Sequence, residues 1–137
     1  MARGGFFSID SLKGVHALVV DAEPECREIL SRILGYCGAL VTAVPGPAEA
    51  AEVMRIIKPD VLVVDVSLPD DAAFHFLRKV RALKPEEGGV VPAIALGAEA
   101  SDEVREQTRV VGFNAFLVKP LSPWELCGVI SNLLLAS

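Results

Sequence analysis

Five short apolar runs recur along the chain, separated by longer segments of mixed polarity. They span residues 15–20, 39–44, 61–64, 91–96 and 115–118. Several are nearly continuous in Val, Ile, Leu and Ala, which is typical of strands that are covered on both faces. The pattern therefore predicts five strands of a parallel sheet.

The intervening segments carry apolar residues at helical spacing. The clearest of these segments predicts a first helix. Its apolar face carries Cys26, Ile29, Leu30, Ile33, Leu34 and Cys37, and its polar face carries Arg27, Glu28, Ser31 and Arg32. Similar spacing predicts helices near residues 50–57, 74–83, 101–111 and 122–134. Ser122, Pro123 and Glu125 form a capping box with proline at the first helical position, and Gly38 and Gly112 end the first and fourth helices.

Alternating strand and helix units with short connections favour an open α/β sheet with helices on both faces and right-handed crossovers. A length of 137 residues suits one domain, and a hydrophobic content of 52% is enough for a sizeable core. We assign residues 1–14 to a linker or arm and residues 15–137 to the domain.

Charge and cysteine usage exclude several classes of partner. The net charge of −5 argues against a nucleic-acid surface. The apolar runs are too short to cross a bilayer, so no membrane partner is expected. Cys26, Cys37 and Cys127 are odd in number and lack a paired metal-ligand spacing, which suits free thiols in the reducing cytoplasm.

Candidate chemistry lies where the strands end, because ligands of open α/β sheets bind beyond the carboxyl ends of the strands. The first strand is followed by Asp21, the third by Asp65 and the fifth by Lys119. Each alone has an ordinary interpretation as a cap, a turn former or a solvated cation. Two carboxylates roughly 5 Å apart would repel by about 3 kcal/mol at an effective dielectric near 20, so we expect a cation to offset the repulsion. Lys119 supplies one, and Mg²⁺ could supply another.

Three blocks of sequence resemble the CheY-like receiver domains of response regulators: residues 18–24 (LVVDAEP), 60–69 (DVLVVDVSLP) and 113–120 (FNAFLVKP). The resemblance runs from about Val15 to the C-terminus. It implies a flavodoxin-like (βα)5 fold with sheet order 2-1-3-4-5, and a cis bond between Lys119 and Pro120. It also implies a signalling module of a two-component phosphorelay, not an enzyme.

The resemblance further implies the roles of the site residues. Asp65 is then the phosphoacceptor, and Lys119 contacts the phosphoryl group. Mg²⁺ is held by Asp21, Asp65 and the backbone carbonyl of Ser67. The phosphodonor is a histidine kinase or phosphotransfer protein, and the signal passes to a downstream protein or to covalently attached kinase domains. The turn at residues 85–89 resembles receivers of hybrid histidine kinases, although a free-standing protein fits equally well.

Three positions depart from the family pattern. Ala22 replaces the second of two adjacent acids, which predicts weakened Mg²⁺ binding. Gly97 replaces the Thr or Ser that ends the fourth strand, and Phe116 replaces a frequent Tyr. The usual coupling between those two side chains therefore cannot operate in its ordinary form.

Two further functions stay open at this point. The departures favour a degenerate receiver that acts as a phosphorylation-independent docking module. A small hydrolase or nucleotide-binding enzyme on a similar sheet is disfavoured, because no glycine-rich phosphate loop follows any strand.

Overall fold

The computed structural model describes residues 11–136, which contain a parallel five-stranded sheet with helices on both faces. The strands are β1 (His16–Val20), β2 (Leu40–Val44), β3 (Val61–Asp65), β4 (Ala93–Gly97) and β5 (Ala115–Val118), in the order β2-β1-β3-β4-β5. The helices are α1 (Pro24–Tyr36), α2 (Pro47–Ile56), α3 (Ala72–Arg81), α4 (Asp102–Val111) and α5 (Pro123–Ala136). The predicted fold class, sheet order and cis bond between Lys119 and Pro120 are confirmed.

The sheet separates two apolar cores because successive side chains of a strand point to opposite faces. Leu18 and Val20 of β1 pack with α2 and α3 on one face. Ala17 and Val19 pack with α1 and α5 on the other. All four side chains are fully buried, which explains why residues 17–20 of β1 are all apolar. Within residues 11–136, no helix combines the length and apolar character needed to span a bilayer.

Strand and helix boundaries differ from the predicted ones by a few residues. β3 includes Asp65, and β4 begins at Ala93 instead of Val91. Pro92 has no N–H to donate to the sheet, so the strand begins after it. The Pro92 carbonyl still accepts a hydrogen bond from the amide of Leu62. The predicted turn at residues 85–89 contains a short 3-10 helix, Pro85–Glu87, and a second one, Pro69–Asp71, follows β3 without a matching prediction.

The predicted faces of α1 are wrong at two positions. Ile29 is 57% exposed, whereas Arg27 is half-buried and its Nη1 donates to the carbonyl of Asp21 at 2.8 Å. Helical spacing sets the direction of a residue only to within the width of the apolar face. The carbonyl at the end of β1 offers Arg27 a partner that the spacing does not reveal.

Leu12, which the sequence predicts to be part of the arm, packs against the domain. It is buried among the side chains of the α1 and α5 face. Its amide donates to the carbonyl of Cys37 at 2.8 Å. Residues 1–10 of the predicted arm lie outside the described residues.

Arg81 fastens the end of α3 to two loops. Its Nε and Nη2 donate to the carbonyl of Gly112, Nη1 donates to the carbonyl of Gly89, and Nη2 also donates to Oδ1 of Asn114, all at 2.9–3.0 Å. Gly112 ends α4 with φ at 120°, and a Cβ there would lie 3.1 Å from Arg81. Burial lowers the pKa of Arg81, and the acceptors of its guanidinium within residues 11–136 are neutral carbonyl and amide oxygens.

Candidate functional site

Strand register brings the predicted site residues to one edge of the sheet. Val20 of β1 pairs with Val64 of β3, so Asp21 and Asp65 leave adjacent strands side by side. Gly97 pairs with Val118, which places Lys119 at the same edge. The amide of Lys119 donates to the carbonyl of Gly97 at 2.9 Å.

The Lys119 ammonium joins the two carboxylates. Its Nζ lies 2.8 Å from Oδ2 of Asp21 and 3.4 Å from Oδ2 of Asp65. Asp21 is fully buried, and Asp65 is 5% exposed. Because buried carboxylates require a paired charge, Lys119 offsets part of their repulsion and leaves one net negative charge among the three groups.

Two opposing effects act on the pKa of Lys119. Burial of the ammonium lowers the pKa, but the hydrogen bond to Asp21 and the negative charges of Asp65 and Asp21 together outweigh burial. The pKa of Lys119 is therefore raised above its ordinary value, so the side chain is a fixed cation at neutral pH.

Ser67 orients the Asp65 carboxylate. Its amide and its hydroxyl both donate to Oδ1 of Asp65, at 2.9 and 2.7 Å. Oδ2, the other oxygen, faces Lys119. The two oxygens therefore differ, since Oδ1 is engaged by neutral donors and Oδ2 by a cation.

The residues after β1 provide further ligand atoms. Ala22 is exposed and offers none, but Oδ1 of Asp21 accepts from the amide of Glu23 at 2.9 Å. Ligand atoms of Asp21, Glu23 and Cys26 lie within 4.8 Å of one another. Carboxylate oxygens suit Mg²⁺, whereas the Cys26 thiol is a softer donor. The carboxylates of Asp21 and Glu23 in this group fit a hard divalent cation.

Cys26 lies closer to the site than its sequence context indicates. Its Sγ donates to Oε1 of Glu23 at 3.2 Å and lies 3.7 Å from Nζ of Lys119. Burial and the Glu23 hydrogen bond raise the pKa of the Cys26 thiol. Spacing within α1 predicts an apolar position for Cys26 and a polar one for Arg27, so it identifies neither residue as a neighbour of the site. Cys37 and Cys127 are buried free thiols, as predicted.

Phe116 occupies the space beside Gly97. A Cβ built on Gly97 would lie 2.7 Å from Cζ of the Phe116 ring. The guanidinium of Arg105 on α4 lies 5.2 Å from the ring centroid, within the range of a cation–π contact. Phe116 therefore packs against the end of β4, where Gly97 offers no hydroxyl group.

Comparisons with known proteins agree with this geometry. Residues 17–131 match the family described as response regulator receiver domain. The chain is 37% identical over 128 residues to the uncharacterized 14.6 kDa protein in the sodA1 3' region of Leptolyngbya boryana, covering 93% of this chain and 96% of that protein. It is 34% identical over 108 residues to the probable transcriptional regulatory protein TcrX of Mycobacterium tuberculosis, covering 79% of this chain but only 44% of that protein.

A solved structure shares the fold. The receiver domain of sensor histidine kinase PA1611 from Pseudomonas aeruginosa, described with a magnesium ion coordinated in its active site cleft, has a TM-score of 0.79 and 29% identity. The similarity covers 88% of this chain and 98% of that one. The fold and the acidic strand exits define a CheY-like signalling domain. The chain belongs to the response regulator receiver domain family of two-component systems.

Proposed function

We propose that this receiver domain accepts a phosphoryl group on Asp65 from a histidine kinase or phosphotransfer protein and signals by protein contact. The observation that carries the proposal is the convergence of two buried carboxylates on the ammonium of Lys119. Burying these charged side chains costs free energy, which favours a role in phosphoryl transfer over a purely structural role. The free thiols fit a cytoplasmic location.

Phosphoryl transfer depends mainly on positioning and on stabilising charge. In the proposed step, Oδ2 of Asp65 attacks phosphorus, the new O–P bond forms as the P–N bond of a phosphohistidine breaks, and the imidazole leaves. Ser67 fixes the carboxylate through Oδ1. Lys119, already near Oδ2, offsets negative charge on the phosphoryl oxygens.

We infer that Asp21, Asp65 and the backbone carbonyl of Ser67 would hold Mg²⁺, whose chemistry is to neutralise phosphoryl oxygens. Support comes from the oxygen donors at the strand exits and from the magnesium described for the related PA1611 receiver. Because Ala22 provides no ligand, we expect weaker binding than a second acid would give, with Glu23 as the nearest substitute.

Intact-mass measurement with acetyl phosphate and Mg²⁺ tests the proposal. We expect one phosphoryl adduct on the natural chain and none on Asp65→Ala. Asp102→Ala, which removes an exposed carboxylate on α4, is the matched control and should still form the adduct. An adduct that persists in Asp65→Ala would contradict the assignment.

A docking module that works without phosphorylation is the second candidate. Two observations favour it: Ala22 in place of an acid, and the Phe116 ring that fills the space beside Gly97. If the natural chain forms no adduct and titration detects no Mg²⁺ binding, this second function replaces the first.

A further inference from the structure

A groove between α2 and α3 lies on the sheet face away from α1 and α5. It has a volume of about 880 Å³, within the range of small-molecule sites. Its apolar lining includes Ala51 and Met54 on α2, and Phe76 and Val80 on α3. Short side chains at positions 48 and 51 of α2 leave the space open.

Cations gather at one end of the groove. α2 and α3 run in the same direction because each follows a strand of a parallel sheet. Arg55 and Lys58 lie at the carboxyl end of α2, and Lys79 lies near the carboxyl end of α3; all three line the groove. Among the residues that line this end, the three cations outnumber one acid, Glu87, on a chain whose net charge is −5.

These cations are weakly neutralised by the protein. Arg55 reaches Glu52 only at 4.0 Å, and both side chains are more than 70% exposed. Lys58 donates to the carbonyl of Glu86, a neutral group. Lys79 is exposed and has no ion pair among the described residues. An anion at this end would therefore meet the Lys79 ammonium and the Arg55 guanidinium, whose ion pair with Glu52 is long and exposed.

We propose that the α2–α3 groove binds a small amphiphilic anion, with its apolar body along Met54 and Phe76 and its carboxylate or phosphate head beside Lys79 and Arg55. Helix α2 has ten residues, a rise of about 15 Å, which suits a medium-length alkyl chain. Asp70 lines the opposite end and disfavours a second anionic group there. This site is separate from the phosphoacceptor pocket.

Titration with decanoate, decyl phosphate and neutral decanol, each below its aggregation concentration, tests the proposal by amide NMR shifts. Both anions should bind saturably, with shifts concentrated in α2 and α3, and decanol should bind more weakly. Comparison of the two anions identifies the preferred head group. Lys79→Glu should weaken anion binding about tenfold. Arg78→Glu, the adjacent exposed cation that faces α4, is the matched control and should leave affinity within about twofold.

Ala51→Phe, which fills the groove from an exposed helix position, should abolish binding while amide dispersion reports an intact fold. Absence of saturable binding would overturn the proposal, as would equal affinity for decanol or equal loss in Lys79→Glu and Arg78→Glu. Concentration-dependent dimerisation with shifts in the same helices would assign the groove to a second copy and also overturn it. Asp65→Ala should bind the anions normally, so failure of phosphorylation does not affect this test.

Discussion

The Phe116 ring lies where a side chain at position 97 would have to be: Cζ of the ring is 2.7 Å from a Cβ built on Gly97. Carbon atoms in contact prefer about 3.5–4.0 Å. Glycine at the end of β4 therefore allows the inward position of the ring, which the Arg105 guanidinium also contacts.

Gly97→Ala should destabilise the domain by about 1 kcal/mol, because overpacking outweighs the gain from a less flexible unfolded chain. In a Phe116→Ala background the same substitution should be neutral or stabilising, since the clash is gone. Urea unfolding of the four proteins in this double-mutant cycle measures the coupling. Equal effects of Gly97→Ala in both backgrounds would show that the ring does not occupy this space.

Lys119→Met should cost about 2–3 kcal/mol in free energy of unfolding at neutral pH, because it leaves Asp21 and Asp65 buried without a cation. Adding Asp21→Asn should restore part of the loss by removing one of the two negative charges. Chemical denaturation of the single and double variants provides the measurement. A double variant less stable than Lys119→Met would argue against repulsion between the carboxylates.

Arg81→Met should cost about 2–3 kcal/mol, because it leaves the Gly89 and Gly112 carbonyls without their charged donor. Arg81→Lys should recover only part of the lost stability, since an ammonium lacks the planar fork of a guanidinium. Arg78→Met is the control on the same helix and should change stability by less than about 0.5 kcal/mol. Comparable losses of stability in Arg78→Met and Arg81→Met would show that the hydrogen bonds of Arg81 do not stabilise the fold.

Ala22→Asp should tighten Mg²⁺ binding by about tenfold or more, because it adds a carboxylate oxygen next to Asp21. Ala22→Asn has the same shape without the charge and serves as the control. Calorimetric titration compares the two with the natural chain, and Glu23→Gln tests whether Glu23 acts as the substitute acid. Identical Mg²⁺ affinities for Ala22→Asp and Ala22→Asn would mean that the added charge does not reach the ion.

Sequence patterns predict those features that depend on local spacing. The strands are found because residues such as Leu18 and Val63 are buried on both faces of the sheet, and the end of α4 because Gly112 takes a positive φ. Asp21, Asp65 and Lys119 can be placed together because parallel strands end at one edge. The sheet order required the resemblance to receiver domains.

Features that depend on distant pairs could not be predicted in this way. Arg78, Lys79 and Arg81 look alike in the sequence, yet only Arg81 meets the carbonyl of Gly112, 31 residues away. The burial of Arg27 on α1 was also not predictable from spacing, because Arg27 donates to the backbone carbonyl of Asp21, outside the helix. Ile29 is exposed instead. Neither partner belongs to the helix that carries the arginine, so helical periodicity does not indicate the contact.

Borohydride trapping identifies the carboxylate that takes the phosphoryl group. After treatment with acetyl phosphate and Mg²⁺, borohydride reduces an aspartyl phosphate to homoserine, which peptide mapping by mass spectrometry locates. We predict homoserine at position 65 and unchanged aspartate at position 21. Homoserine at another aspartate, or none at position 65, would rule out Asp65 as the phosphoacceptor.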